Sequence, residues 1–183
     1  MRLRGFSLIE LLVVLAVLTV LVGLTIPRLD SARFRADANV LLVRMTLQEA
    51  QRLAVRQKHD VTVSFDTGGG RIRVGEDRDN NGSITAGEPV HWKGLTDGAR
   101  FVRPIRGIAG DSAEPVSGSE ISTLDGMPTV TFYRGGSSNS ALEAYVQVDG
   151  WRSPALRGVI LVQSTGRTEW FKYTGAGWRS GGR

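Results

Sequence analysis

Residues Phe6 to Ile26 (FSLIELLVVLAVLTVLVGLTI) form an almost wholly apolar run, preceded by a short basic leader ending in Gly5 and interrupted by one carboxylate, Glu10. At about 1.5 Å of rise per residue, a helix of this length reaches across the roughly 30 Å hydrocarbon core of a bilayer, which predicts a transmembrane helix over 6–26. The run is too long for a secretory signal core of about 7–15 residues, and its plausible processing point lies upstream, between Gly5 and Phe6, rather than downstream.

Glu10 requires a reason, because an ionisable group in a membrane helix costs on the order of 2.5–3.5 kcal/mol near the centre. Cleavage after Gly5 supplies one. Phe6 becomes a positively charged amino terminus able to pair with Glu10 of a neighbouring subunit. The alternative is a single-pass anchor whose Glu10 sits idle near the headgroups.

Met1-Arg2-Leu3-Arg4-Gly5 followed by Phe6-Ser7-Leu8-Ile9-Glu10 resembles the leader and stem of type IV pilins and pseudopilins, with Gly5, Phe6 and Glu10 on the family pattern. The resemblance implies cleavage by prepilin peptidase, N-methylation of Phe6, a registering role for Glu10 and incorporation into a filament or its initiating complex. It covers about the first thirty residues. The partners it implies are other pilins or pseudopilins, prepilin peptidase, an inner-membrane assembly platform and membrane lipid. The implied location is the bacterial inner membrane, single-pass, with a periplasmic globular domain that enters a filament after assembly.

The formal charge of +5 drops by two when Arg2 and Arg4 leave with the leader, so charge alone does not mark a nucleic-acid binder. Orientation by charge is mixed, since Arg28, Arg33 and Arg35 oppose the leader arginines and Asp30 and Asp37 partly offset them. Without cysteine, the domain after the stem must be held by its core, the stem helix and a bound metal if one is present.

Four segments are expected: a leader peptide over 1–5, a transmembrane helix over 6–26, an amphipathic continuation of the stem over 27–59 and a β-rich globular domain over 60–183. Pro27 is expected to bend the stem, because an apolar stripe resumes at Leu29, Ala32, Ala36, Val40, Val43, Leu47, Ala50 and Ala54, close to the helical period. Arg44, Gln48, Arg52 and Arg56 line the other side as a basic ridge, read as a solvated helix face, with a DNA or lipid contact as the alternative.

From Val61 the period becomes alternating. Val61 to Phe65 and Arg71 to Val74, joined through Asp66-Thr67-Gly68-Gly69-Gly70, predict a hairpin. Further strands are predicted at Val90 to Trp92, Arg100 to Arg103, Thr129 to Tyr133, Ala144 to Val148, Val159 to Gln163 and Thr168 to Tyr173, with loops at Gly107 to Gly118 and Gly135 to Ser140. The fold class is α+β: a pilin-like long N-terminal helix, half transmembrane and half amphipathic, packed on an antiparallel β-sheet or sandwich.

Phe132-Tyr133-Arg134-Gly135-Gly136, then Val159-Ile160-Leu161-Val162 leading into Ser164-Thr165-Gly166-Arg167, resemble the carboxyl-terminal half of GspH/FimT minor pseudopilins. Such proteins serve a type II secretion pseudopilus or type IV pili, and some bind DNA for natural transformation. The Gly-Arg-x-Arg element of the DNA-binding members is matched at Gly166, Arg167 and Thr168 but ends in Glu169, which puts a repelling carboxylate where a cation belongs. Arg167, Lys172 and Arg179, interleaved with Trp170, Phe171, Tyr173 and Trp178, are the candidate DNA contacts, against a reading in which the aromatics pack in the core.

Asp77 to Glu88 (DRDNNGSITAGE) follows the calcium-loop pattern, with oxygen ligands at the first, third and fifth positions, glycine at the sixth and glutamate at the twelfth. Asp77, Asp79 and Asn81 offer side-chain oxygens, Ser83 its carbonyl, Thr85 a hydroxyl or water contact, and Glu88 a bidentate carboxylate. Strands rather than helices flank it, and a plain acidic turn closing a hairpin is the alternative. No cofactor is required on this reading; calcium is the optional one.

Enzymatic patterns are missing: no cysteine nucleophile, no phosphate-cradling glycine loop ending in Lys-Ser or Lys-Thr, and no histidine pair at metal spacing. His59 and His91 are read as structural, His59 as a cation near a helix carboxyl end.

Overall fold

The computed structural model describes residues 7–25, 31–108, 113–117, 121–150 and 153–182, with side chains for all of these except 22–25. Gly5, Phe6, Pro27 and Leu29 lie outside them, so the expected cleavage point and the bend at Pro27 are not addressed by the structure. The chain divides into two compact units, Met1–Ser31 and Ala32–Arg183.

The first unit contains helix α1, Leu8–Thr25. Ser7 and Glu10 stand at capping-box spacing, and the Ser7 carbonyl accepts the Glu10 and Leu11 amides at 3.1 and 3.2 Å. Its large apolar side chains, from Leu8 to Leu21, are exposed on every side within the unit.

Two expectations are corrected here. Among the described residues no helix is long and apolar enough to cross a membrane. The eighteen residues of α1 rise about 27 Å, short of a hydrocarbon core of roughly 30 Å, and the ends of the apolar run that supplied the extra length lie outside the helix described. The transmembrane half of the predicted fold class is therefore overturned, as is the single-pass inner-membrane placement with a periplasmic domain.

The second unit is α+β, as expected, with a long helix packed on antiparallel sheet. Helix α2 spans Ser31–Gln57, and its buried face is Ala32, Ala36, Val40, Val43, Leu47, Ala50 and Ala54, the predicted stripe. Strands follow at β1 (Asp60–Asp66), β2 (Arg71–Asp77), β3 (Val90–Gly94), β4 (Arg100–Phe101), β5 (Glu114–Pro115), β6 (Thr123–Leu124), β7 (Met127–Phe132), β8 (Leu142–Val148), β9 (Ala155–Val162), β10 (Arg167–Tyr173) and β11 (Trp178–Ser180).

They form two sheets. One has the order β3-β2-β1-β7-β6; the other runs β11-β10-β9-β8-β4, with β5 pairing parallel to β8. Every other pairing is antiparallel. Val61, Val63 and Phe65 of β1 and Val130 and Phe132 of β7 share one core with Leu142, Ala144 and Val146 of β8, Val159 and Leu161 of β9, and Val40, Val43, Leu47, Ala50 and Ala54 of α2, while Ala32 and Ala36 form a smaller cluster with Val148 and Ala155. The helix thus seals both sheets with one apolar face, which is why its period and theirs had to be in phase.

Polar tethers set the helix in register. Asn39, 1% exposed, donates to the Thr96 carbonyl at 3.1 Å and accepts from the Thr96 amide at 2.8 Å. Gln51 Nε2 donates to the carbonyls of Gly136, just past β7, and Thr165, in the β9–β10 turn, at 2.7 Å each. Asp37 accepts from Arg157 Nε of β9, whose side chain is 6% exposed.

Candidate functional site

Glu10 sits in the first turn of α1 and is exposed, as are its apolar neighbours. A carboxylate there is favoured by the unpaired amides and partial positive charge of the helix start. That local role leaves the side chain exposed among the described residues. Gly5 and Phe6 lie outside the described residues.

The acidic loop connects the ends of β2 and β3, so strands flank it, as expected. Asp77 is the last residue of β2 and is 1% exposed; its two carboxylate oxygens accept the Asn81 and Gly82 amides at 3.0 and 2.7 Å. Asp79 accepts from the Asn81 amide at 3.1 Å and from Asn81 Nδ2 at 2.8 Å. Glu88 folds back across the loop, taking the Arg78 and Thr85 amides at 2.7 Å on its two oxygens and the Thr85 hydroxyl at 3.1 Å. Gly82 has φ +82°, the left-handed region that glycine enters without steric cost. Ile84 lies over Gly75 of β2, where a Cβ would come within 2.8 Å of it, so the apolar position turns inward onto the sheet.

Oxygens of Asp77, Asp79 and Glu88 come within 4.8 Å of one another, a cluster that could chelate a divalent ion. Burial pushes the Asp77 carboxyl above its ordinary value; the Gly82 and Asn81 amides work against that, and the nearby Asp79 and Glu88 carboxyls reinforce it. The amide of Thr85 leads in holding Glu88 below its ordinary value. Asn81 Oδ1 and Thr85 Oγ1 are engaged within the loop, with the Ser83 amide at 2.8 Å and Glu88 respectively.

The candidate DNA contacts do not share one face. Lys172 and Arg179 are direct partners across β10 and β11 and are both exposed. Arg167 is an odd number of residues from Lys172, so it emerges from the opposite side of β10, where its guanidinium pairs with Glu169 at 2.6 Å. Trp178 packs against Tyr145 and Tyr173, with ring centroids 5.3 and 5.2 Å away, and Trp170 packs against the main core. Gly166 is needed for the shape of the β9–β10 turn, since its φ is +63° and a Cβ there would fall 2.2 Å from Gln51 Nε2.

Sequence reasoning did not single out Glu143 and Tyr145. Both are fully buried in β8, beside a cavity of about 270 Å³ also lined by Arg103. Tyr145 Oη donates to the Glu143 carboxylate and accepts the Ile108 amide at 2.8 Å. Burial first, and then the bond to Glu143, push the Tyr145 hydroxyl well above its ordinary value. A charged residue among the apolar residues of Leu142 to Val146 was the available signal. His59 is buried and sits 3.3 Å from Glu76, while His91 of β3 is exposed.

The description "Prokaryotic N-terminal methylation motif" is matched by residues 1–26, consistent with a pilin-type protein in general. Among solved structures, the chain is similar to the minor pseudopilin EpsH from the Type 2 Secretion System of Vibrio cholerae. Identity is 10%, the TM-score is 0.46, and the match covers 81% of this chain and 99% of that one. No curated protein matches the chain.

Proposed function

We propose that the protein is a minor pseudopilin of the GspH/FimT type, a structural subunit and not an enzyme, serving a type II secretion pseudopilus or a type IV pilus. Residues 1–5 are its leader, 27–59 its amphipathic stem and 60–183 its globular domain. Prepilin peptidase cuts between Gly5 and Phe6, Phe6 is N-methylated, and the new amino terminus pairs with Glu10 of a neighbouring pilin while an assembly platform adds the subunit. The methylation motif over residues 1–26 carries this reading. The exposed apolar surface of α1 supports it, since such a surface requires burial against other subunits. Mass spectrometry of the protein from cells with active prepilin peptidase is expected to find methylated Phe6 at the amino terminus. An intact Met1 would overturn the proposal.

Calcium is the proposed ligand of the acidic loop. Asp77, Asp79 and Glu88 supply charge, with Asn81, Ser83 and Thr85 completing the oxygen set after the loop exchanges some internal hydrogen bonds for the ion. Three crowded carboxylates, one of them buried, are the supporting observation.

A second reading, a DNA-binding minor pilin for uptake, rests on the adjacent cations Lys172 and Arg179. Arg167, paired with Glu169, adds little to it. A mobility-shift assay comparing the protein with its Lys172→Ala/Arg179→Ala variant tests that reading, and no retardation at low salt removes it.

A further inference from the structure

Asn81 and Gly82 form the chain's one Asn-Gly step, and both residues are exposed. An asparagine carries its carboxamide carbon close to the backbone nitrogen of the next residue, and a glycine there puts no side chain in the way of ring closure between them. The space above Gly82 is open as well, since a Cβ built on it meets nothing within 4 Å.

The loop engages each reacting group of that closure. Gly82 N, the nucleophile, directs its hydrogen at Oδ2 of buried Asp77 at 2.7 Å. Asn81 Oδ1, where negative charge collects when Cγ is attacked, accepts the Ser83 amide at 2.8 Å. Asn81 Nδ2, the leaving group, donates to Asp79 Oδ2 at 2.8 Å. A proton acceptor, an oxyanion donor and a partner for the departing nitrogen thus surround one carboxamide.

The other three asparagines of the chain lack this setting. Asn39 is 1% exposed within α2 and precedes β-branched Val40. Asn80 precedes Asn81, and its Oδ1 is held by the Asp60 amide at 2.8 Å. Asn139 precedes Ser140, and its Oδ1 is held by the Thr131 amide at 2.9 Å. In each case a side chain on the next residue shields the amide that would attack.

We propose that Asn81 is a self-modification site, converted to a carboxylate through ring closure by Gly82. The bond from Gly82 N to Asn81 Cγ forms and the Cγ–Nδ2 bond breaks. The amide proton passes to Asp77 and then through water to the departing nitrogen, which leaves as ammonia. Water opens the resulting cyclic imide at either carbonyl, its hydroxyl going to carbon and its remaining proton to nitrogen, and leaves aspartate or isoaspartate. The product adds a carboxylate beside Asp77, Asp79 and Glu88, whose oxygens already lie within 4.8 Å of one another. Loss of ammonia makes the change one-way, so the charge of the loop records the age of the chain. The assignment depends on neither the pseudopilin nor the calcium reading, because every reacting group belongs to this loop.

The test incubates the full chain in zwitterionic detergent at neutral pH with a chelator, and samples it over days for peptide mass spectrometry. Asn81 should gain the mass of an amide-to-acid exchange and separate into aspartate and isoaspartate forms, while Asn39, Asn80 and Asn139 stay intact. Its rate should equal or exceed that of a terminally blocked peptide of residues 77–88 under the same conditions. Asp77→Asn in the full chain should slow the conversion roughly tenfold or more. Asn81 left intact, or converted more slowly in the chain than in the peptide, overturns the proposal, because the hydrogen bonds of the loop would then protect the residue. Equal conversion of the other asparagines overturns it too, as does an unchanged rate in Asp77→Asn, since the reaction would then need nothing from the fold.

Discussion

Asn39 and Thr96 form a closed reciprocal pair: the Asn39 amide donates to the Thr96 carbonyl at 3.1 Å and accepts from the Thr96 amide at 2.8 Å. The side chain thus serves as a missing strand for a loop that has none beside it. Asn39→Ala strands both backbone groups next to α2 and is expected to destabilise the domain by about 1–3 kcal/mol in denaturant unfolding. Asn39→Asp, which keeps an acceptor but turns a buried carboxylate oxygen toward the Arg35 and Thr96 carbonyls, should cost at least as much at neutral pH. A loss of only a few tenths from the alanine change would show that water replaces the pair.

Gly166 is required by its neighbours as well as by its own backbone. Gly166→Ala combines a positive φ with a Cβ 2.2 Å from Gln51 Nε2 and 2.4 Å from the Gly136 carbonyl. The expected cost is about 1–3 kcal/mol, larger than for Gly82→Ala, whose Cβ would meet nothing within 4 Å. Pairing Gly166→Ala with Gln51→Ala should recover part of the loss in a double-mutant cycle, because the second change opens the space.

Calcium should raise the melting temperature through the acidic loop. For a dissociation constant of about 10⁻⁴ to 10⁻³ M, saturation with about 10 mM calcium contributes roughly 1.4–2.7 kcal/mol, a rise of a few degrees to about 10 °C. Asp77→Ala and Glu88→Ala should abolish the calcium increment and the calorimetric heat of binding. An equal increment in wild type and both variants would leave the loop as a turn.

Asp66 supplies a pH dependence of known sign. Arg71, at 2.7 Å, is the main cause of its lowered pKa, followed by the Gly69 amide. A carboxyl that ionises more readily in the folded state contributes stability above its unfolded value, near pH 4, and loses it as pH falls through the lower folded value. Asp66→Asn should therefore cost about 0.2–1 kcal/mol at pH 7 and less at pH 2. Equal costs at both pH values would locate the effect in the turn rather than in the charge.

Periodicity made much of this domain legible. The predicted stripe on α2 is buried at every described position, and the β1–β2 hairpin turns through the glycines that signalled it. The short strands at Glu114–Pro115, Thr123–Leu124 and Trp178–Ser180 were not foreseen. Two or three residues show no period, and such strands exist only because a neighbouring strand offers its edge. Arg44 read as part of a solvated ridge with Arg52 and Arg56; those two are exposed, whereas Arg44 is half-buried, its Nε shielded, beside a groove that β10 also lines. Helical spacing reports angle about an axis, and it carries no information about which sheet edge overhangs that angle. The apolar run at the amino terminus shows the converse case. Its length in sequence exceeded the length of the helix described, and the spanning conclusion failed with that difference.

Gln51 grips the segment after β7 and the turn between β9 and β10 with one amide, so α2 is riveted to both sheets at a single point. Tension applied along the helix consequently reaches the two sheets together and loads their hydrogen bonds in parallel. The domain should resist pulling as one body, giving way in one abrupt event rather than peeling apart layer by layer.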